Sequence, residues 1–486
     1  MAGATEEVQS RGLASSIAGD ELCWLPAWRI RELIAARDIS PVEIVDRTLS
    51  RIEQLDPLIH AFRFVDVKGA KDQAAQAERD LVHGEALGPL FGIPISVKEH
   101  IAIKGMPYWS TNSLPHADTA GSPDWGRARR DSILVERLRK AGAIVIGTTI
   151  MPGFGTDPFL PELTNHPRNP WNLEHVPGGS TAGGAASVAA GITSITIGSD
   201  GAGSIREPAA MCGIVGFHPT PGRIPSVDYD TPSVVRGSTF GPLTRDVRDA
   251  ALVMQILAGP DGRDPFEIQT PAPNYTLSLD DGVRGLRFAW TDDFGFGKRY
   301  SLPETPAVID VVRKAAFAFR ELGAAVDHTS MEWEDYFPSF VAMTAAYDTS
   351  TTIAYFNASQ NPQSLEEAHE VYSRNWHRFQ QVFSAHDLII SPTSTFTAPE
   401  VGEWDRLAKN PDLPHNHFMP TYGTNMQLFN ILGWPAASIP CGFVNDMPVG
   451  MQIIGRPEQE ALILRTARAY LATYPFSERP PPVARA

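Results

Sequence analysis

Two glycine-rich segments of this chain each hold a serine in surroundings that suit chemistry. The first is PGGSTAGG (177–184), which carries Ser180, and the second is GSDGAGSIR (198–206), which carries Ser204. Glycine permits positive φ and lets a ligand come close to the main chain. A row of backbone N–H groups ahead of Ser204, from Gly201, Ala202 and Gly203, can converge on one oxygen atom, which is what an oxyanion hole requires. A serine hydroxyl is a weak nucleophile without a positioned base. Neither serine lies in a Gly-x-Ser-x-Gly elbow, and none of the 13 histidines is singled out as a partner, although a Ser-His-Asp arrangement stays open. The other candidate base is a lysine stripped of water, because burial disfavours the ammonium form. Lys98 ends the apolar run PISVK, an unusual place for a lysine, and is that candidate. On the residues alone the commoner use of such a lysine is to snorkel to water. The glycine loops can equally be close-packed turns. They lack the Gly-x-x-x-x-Gly-Lys-Ser/Thr pattern of a phosphate loop and the Gly-x-Gly-x-x-Gly order of a dinucleotide fold.

Several elements must hold these residues in place. Residues 26–55 read as a pair of helices, with Ser40, Pro41 and Glu43 forming a capping box and a proline at the first helical position. An amphipathic helix is predicted over 65–83, followed by a break at Gly88–Pro89 and a short buried strand in GIPISVK (92–98). SILVERLRKA (132–141) reads as a helix stopped by Gly142, and AIVIG (143–147) as a strand. The small residues of 183–191 suit a tightly packed helix, and ITSITIG (192–198) a further buried strand. Helices are also predicted at 247–258, 306–322 and 459–473, a late strand at 448–455, and a surface connection over 262–282. Helix–turn–strand units with strands apolar on both faces argue for an α/β architecture.

The 486 residues are 43% apolar and 20% charged, which is globular composition with ample material for a core. The formal charge is −15 with no basic block, which argues against a nucleic-acid or anionic-membrane surface. The three cysteines, Cys23, Cys212 and Cys441, are scattered and odd in number, which excludes a disulfide framework and fits a reducing compartment. The first residues lack the basic start and apolar stretch of a signal peptide, and no apolar run reaches membrane-spanning length. Together these features point to the cytoplasm. No cofactor or metal is called for; the pair His415 and His417 brings no matching carboxylate set.

The segments GPLFGIPISVKEHI (88–101), RNPWN (168–172), PGGSTAGGAASVAAG (177–191), GSDGAGSIREPAAMCGIVGFHPT (198–220), GPLTRDVRDAAL (241–252) and GWPAASIPCGF…MPVGMQIIG (433–455) resemble the amidase signature family, from about residue 26 to 475. The resemblance implies a Ser-cisSer-Lys triad: Lys98 as base, Ser180 as the bridging serine on a cis peptide, and Ser204 as nucleophile, 24 residues further on. It also implies that the N–H groups of residues 201–204 hold the oxyanion; Asp200 and Arg206 are expected to brace the loop, with pairing to a substrate charge as the alternative for Arg206. Here Glu99 stands for the frequent Asp, Thr181 for a frequent Ser, Thr148 for a common Lys, and Gly201-Ala202-Gly203 for the usual run. No triad member is lost, so these departures bear on substrate. Met151, within IMPGF (150–154), is a candidate for the acyl pocket, with plain core packing as the alternative. Trp333, Tyr336, Phe337 and Tyr347 fit a substrate wall or, more commonly, helical core.

The expectation is a mixed, twisted central β-sheet flanked by helices on both faces, an α/β/α arrangement in one domain over 1–486. Within it, 1–85 is an N-terminal helical part, 86–260 the catalytic core, 262–430 a variable substrate-pocket region and 431–475 a return to the core. The expected activity is hydrolysis of small amides, with anilides, esters and carbamates (urethanes) as the wider set, by a protein that needs no partner and that a homodimer would suit. The alternatives are the amidase-like subunit of a tRNA-dependent amidotransferase and a non-catalytic binding scaffold.

Overall fold

The computed structural model describes residues 21–107, 127–151, 166–225, 227–228, 231–232, 238–295, 301–329, 333–336, 338–339, 342–343, 364–403, 425–476 and 480–485. Part of the 262–430 region, Phe154, Phe337, Tyr347, His415 and His417 lie outside them. In chain order the elements begin with helices α1 (Ala27–Ala35) and α2 (Pro41–Ile59), strand β1 (Phe62–Val65), helix α3 (Val67–His83) and strand β2 (Pro94–Lys98). Then come α4 (Ile133–Lys140), β3 (Ile144–Thr149), α5 (Ala182–Ala189), β4 (Ile195–Asp200), α6 (Arg206–Cys212) and β5 (Val215–His218). The short strands β6 (Val227–Asp228) and β7 (Thr231–Pro232) precede β8 (Thr239–Thr244), α7 (Val247–Leu257), β9 (Arg287–Trp290), α8 (Thr305–Ala318) and β10 (Ala325–His328). The chain closes with α9 (Leu365–Ala385), β11 (Leu388–Pro392), α10 (Gln427–Leu432), β12 (Ala436–Val444), β13 (Met447–Ile454) and α11 (Glu460–Thr473).

Eleven strands form one sheet in the order β1-β3-β2-β4-β8-β5-β12-β13-β11-β9-β10, with β6 and β7 paired separately. β2 runs parallel to β3 and β4, and β9 runs parallel to β10 and β11; the other neighbours are antiparallel, so the sheet is mixed. Eleven helices flank it among the described residues. Alternation along β3 shows how both faces are covered. Ile144 and Ile146 pack with Val45, Leu49 and Ile52 of α2, Ala70 and Ala74 of α3 and Ala186 of α5. Val145, pointing the other way, joins Leu134, Val135 and Leu138 of α4 with Val253 and Met254 of α7. A strand buried on both faces has no room for polar residues unless they are paired, which makes the lysine at the end of β2 conspicuous. No helix of the described residues is long and apolar enough to cross a membrane.

Local signals explain most boundaries. Ser40 caps α2, its Oγ accepting from the N–H groups of Val42 at 3.0 Å and Glu43 at 3.4 Å, with Pro41 at the first helical position. The predicted capping box is only half built, because the Glu43 side chain turns to Arg47 at 3.0 Å instead. A full capping box does stand at Ser364 and Glu367, where α9 begins; that helix is absent from the sequence-based expectations. The edge strand β1 was also not predicted. Trp333 and Tyr336 are core residues but not helical: they lie in irregular chain within an aromatic cluster that includes Phe294, Phe379, Phe429 and Trp434. The connection over 262–282 is irregular, yet it buries Tyr275 completely.

Candidate active site

Lys98 is the last residue of β2 and is fully buried, 0% exposed. Its Nζ lies 2.7 Å from Ser180 Oγ and 3.1 Å from Ser199 Oγ. Among the described residues no carboxylate comes within ion-pair reach of it. Burial pushes the Lys98 ammonium down to about 7, with Asp200 and Glu99 pulling back the other way. The snorkelling alternative therefore does not hold for this side chain. The ammonium and the free amine have comparable populations near neutrality, the condition a general base needs.

Ser180 precedes α5 and is half-buried. The Gly179–Ser180 peptide is cis, as the resemblance implies. Gly178 sits at φ +81°, and a Cβ there would come within 2.9 Å of Pro208 Cα and of Met211 Sδ, so the turn tolerates only glycine at that point. Gly198 plays the matching part on β4, where a Cβ would lie 2.6 Å from the Thr181 side chain. These close approaches seat the PGGS turn against β4 and α6. The backbone N–H of Thr181 then donates to the carbonyl of Ser204 at 3.2 Å, which brings two segments far apart in sequence side by side.

Ser204 lies between β4 and α6 and is 8% exposed. Its hydroxyl and that of Ser180 exchange no hydrogen bond among the described residues; catalytic hydrogen bonds are often long or poorly aligned before substrate binds. Gly203 precedes it at φ +116°, and a Cβ there would press on Met426 at 3.0 Å from Sδ. The oxyanion expectation narrows at this residue. The Gly203 N–H already donates to Asp200 Oδ1 at 2.7 Å, so it is not free for a substrate oxygen. The N–H groups of Ala202 and Ser204 donate to no protein acceptor among the described residues. Gly201 and Ala202 are half-buried.

The loop is held by an ion pair with no exposure on either side: Arg206 Nε to Asp200 Oδ2 at 2.9 Å. All five N–H bonds of the guanidinium find acceptors, two on Asp200 and the others on Met426 O, Gln452 Oε1 and Asn430 Oδ1. Asp200 also receives the N–H groups of Ile205 and Arg206 and the Asn430 amide. Burial alone would raise the Asp200 carboxyl, but the Arg206 guanidinium, His218 and these bonds outweigh it and hold the group far below the usual carboxylate range. Bracing by Asp200 and Arg206 was expected; Asn430 and Gln452 were not. The available signal was a polar residue inside an apolar run, in QLFNIL and GMQII.

Met151 is half-buried, and its N–H donates to Glu99 Oε1 at 2.6 Å. Glu99, 2% exposed, also takes Arg63 Nε at 2.7 Å. The Glu99 side chain thus ties β1 to the chain just after β3, at Met151. Ser199 was likewise missed as a neighbour of the lysine. Side chains two apart on a strand share a face, but nothing in the sequence places Ser199 opposite Lys98.

A family model described as Amidase matches residues 43–375 and 357–464. The acylamidase of Rhodococcus erythropolis is 31% identical over 95% of this chain and 98% of its own. A glutamyl-tRNA(Gln) amidotransferase subunit of Desulforudis audaxviator (strain MP104C) is equally similar, 31% identical over 94% of this chain and 97% of its own. Among solved structures, a bacterial aryl acylamidase described as belonging to the amidase signature enzymes superposes with a TM-score of 0.79 at 28% identity, covering 94% of this chain and 97% of that one.

Proposed function

Because this chain belongs to the amidase signature family, we propose that it hydrolyses the C–N bond of small amides through an acyl-enzyme on Ser204, with Lys98 as the base and Ser180 as the relay. One observation carries the reading: the Lys98 amine is wholly buried, pushed down to about 7, and 2.7 Å from Ser180 Oγ. Neutral Lys98 takes a proton from Ser180, which takes one from Ser204 as Ser204 attacks the carbonyl carbon. The N–H groups of Ala202 and Ser204 receive the developing oxyanion. The proton then passes back through Ser180 to the leaving nitrogen, which departs as the amine. Water attacks the acyl-enzyme by the same relay in reverse and releases the acid.

Aryl amides (anilides), esters and carbamates extend the proposed substrate set, since each forms the same type of acyl-enzyme and differs in the group expelled. A panel of one amide, one anilide, one ester and one carbamate, run on wild type and Ser204→Ala, tests this. Turnover that survives in Ser204→Ala would reject the nucleophile. The equal similarity to amidotransferase subunits supports a second reading, in which the same triad releases ammonia from glutamine inside a complex. Glutamine-dependent ammonia release together with copurifying subunits would favour it. Labelling of Ser204 by a fluorophosphonate would exclude a non-catalytic scaffold. The division of the chain into a catalytic core over 86–260 and a substrate-pocket region over 262–430, the cytoplasmic location and a homodimer remain part of the proposal.

A further inference from the structure

We propose that Phe240 is a specificity-determining residue: its ring, backed by His100, is the platform on which an aromatic leaving group stacks beside Ser180 and Lys98. This deepens the proposed function and rests on it, narrowing the substrate class to aryl amides. Phe240 lies on β8, directly opposite Ser199 of the antiparallel neighbour β4. Opposed side chains of such a pair stand on the same face, with Cβ atoms about 4.5–5.5 Å apart. The Ser199 hydroxyl is 3.1 Å from Lys98 Nζ, so the Phe240 ring stands on the flank of the base. Asp200 and Thr239, the next opposed pair, point to the other face and are buried. Ser180, Ser199, Gly201, Ala202, Ser238 and Phe240 are half-buried with buried residues between them, so this edge of the sheet is where the site opens. A Cβ on Gly201 would lie 3.5 Å from Ser238 Oγ, which continues the wall from Phe240 to the oxyanion loop.

The leaving nitrogen takes its proton from Ser180, so the group it carries projects to the Ser180–Lys98 side of the reacting carbon, where Phe240 stands. Phe240 is held for stacking. Its ring lies 5.8 Å from the His100 ring, with 24° between the planes. His100 is 5% exposed and sits two residues past Lys98, in a turn closed by the Ile101 N–H donating to the Lys98 carbonyl at 2.9 Å. Burial first, and Lys98 second, hold the imidazolium well below its ordinary range, so the ring stacks as a neutral aromatic and adds no charge beside the base. Phe240 also packs on the main apolar cluster, which leaves its ring little freedom. The part of the ring that stays open offers a fixed aromatic surface. An alkyl leaving group gains only contact area there, whereas an aryl group gains ring-on-ring geometry as well.

The test uses the full chain with p-nitroacetanilide and acetamide, which share the acetyl group and differ in the group expelled. Phe240→Leu, which keeps apolar bulk without a ring, should raise KM for p-nitroacetanilide about tenfold with kcat within about threefold, and Phe240→Tyr should restore it. The loss in kcat/KM should be at least about fivefold larger for the anilide than for acetamide. His100→Ala should raise the anilide KM about threefold, and His100→Phe should restore it. Equilibrium dialysis of p-nitroaniline, the expelled group alone, reads the platform without turnover: its Kd should rise about tenfold in Phe240→Leu. Equal losses on the two amides, or an unchanged p-nitroaniline Kd, overturn the proposal. Failure of the proposed function would look different: wild type would bind p-nitroaniline yet show neither amide turnover nor fluorophosphonate labelling.

Discussion

Arg206 and Lys98 are both cationic side chains with no solvent exposure, yet their surroundings differ completely. Arg206 has a carboxylate and three further oxygen acceptors, so every N–H is matched and the pair is a brace. Lys98 has two hydroxyls and no ion-pair partner among the described residues, so burial is not compensated and its proton becomes loosely held. The same physical event, removal of a charge from water, yields a rigid strut where partners saturate the group and a base where they do not. The scaffold residue is fixed in one state so that the reactive one can exist in two.

The largest expected effects strike the reactive side of this contrast. Ser204→Ala should lower amide turnover by roughly ten-thousandfold or more, as losses of triad nucleophiles do. Lys98→Met should lower it by roughly a thousandfold while leaving melting temperature unchanged or raised, since an apolar side chain of similar length carries no desolvation penalty. If Lys98→Met melted well below wild type, the lysine would be a strut as well, and the contrast would fail. Next in size, Arg206→Met should cost about 3–5 kcal/mol in denaturant unfolding, because it strands Asp200 as a buried unpaired charge. A loss below about 1 kcal/mol would show that Asp200 is not held by this pair.

The pH dependence sharpens the contrast further. The folded state holds Lys98 at about 7, below its unfolded value, so folding sheds a proton between the two. Turnover should rise through about 7 as the free amine appears. The lysine's contribution to stability should also improve with rising pH from about 7 toward the ordinary lysine range, and the melting advantage of Lys98→Met should shrink over that interval. The smallest effect belongs to Glu99→Gln. Its carboxylate favours the ammonium, so its removal should move the acid limb of activity to lower pH, by less than about one unit. A shift to higher pH would mean that Glu99 acts mainly through Arg63 and Met151 rather than through its charge.

Much of the frame is legible along the chain. The predictions for α1, α2, α3, α4, β2, β3 and β4 matched because each rests on local chemistry: Ser40 before Pro41, Gly142 after a helical repeat, β-branched runs between turns. β1 and α9 were missed for opposite reasons. FRFV is a short edge strand half-open to solvent, without clean alternation. α9 carries its signal in a capping box set in a polar stretch, where the apolar pattern is diluted.

Composition, turn residues and the two glycine-rich segments determined by themselves that this chain is α/β and that a lysine and two serines are its reactive candidates, because those inferences need only neighbours along the chain; the mixed sheet was an implication of the family resemblance. Tertiary structure alone decided that Ser199 joins Ser180 at the lysine, that Asn430 and Gln452 complete the brace around Asp200, and that the Gly203 N–H is already taken. Each is a pairing across distant segments, and a proton's affinity depends on all the charges and dipoles around it and on the water excluded from it, none of which a one-dimensional order of residues specifies.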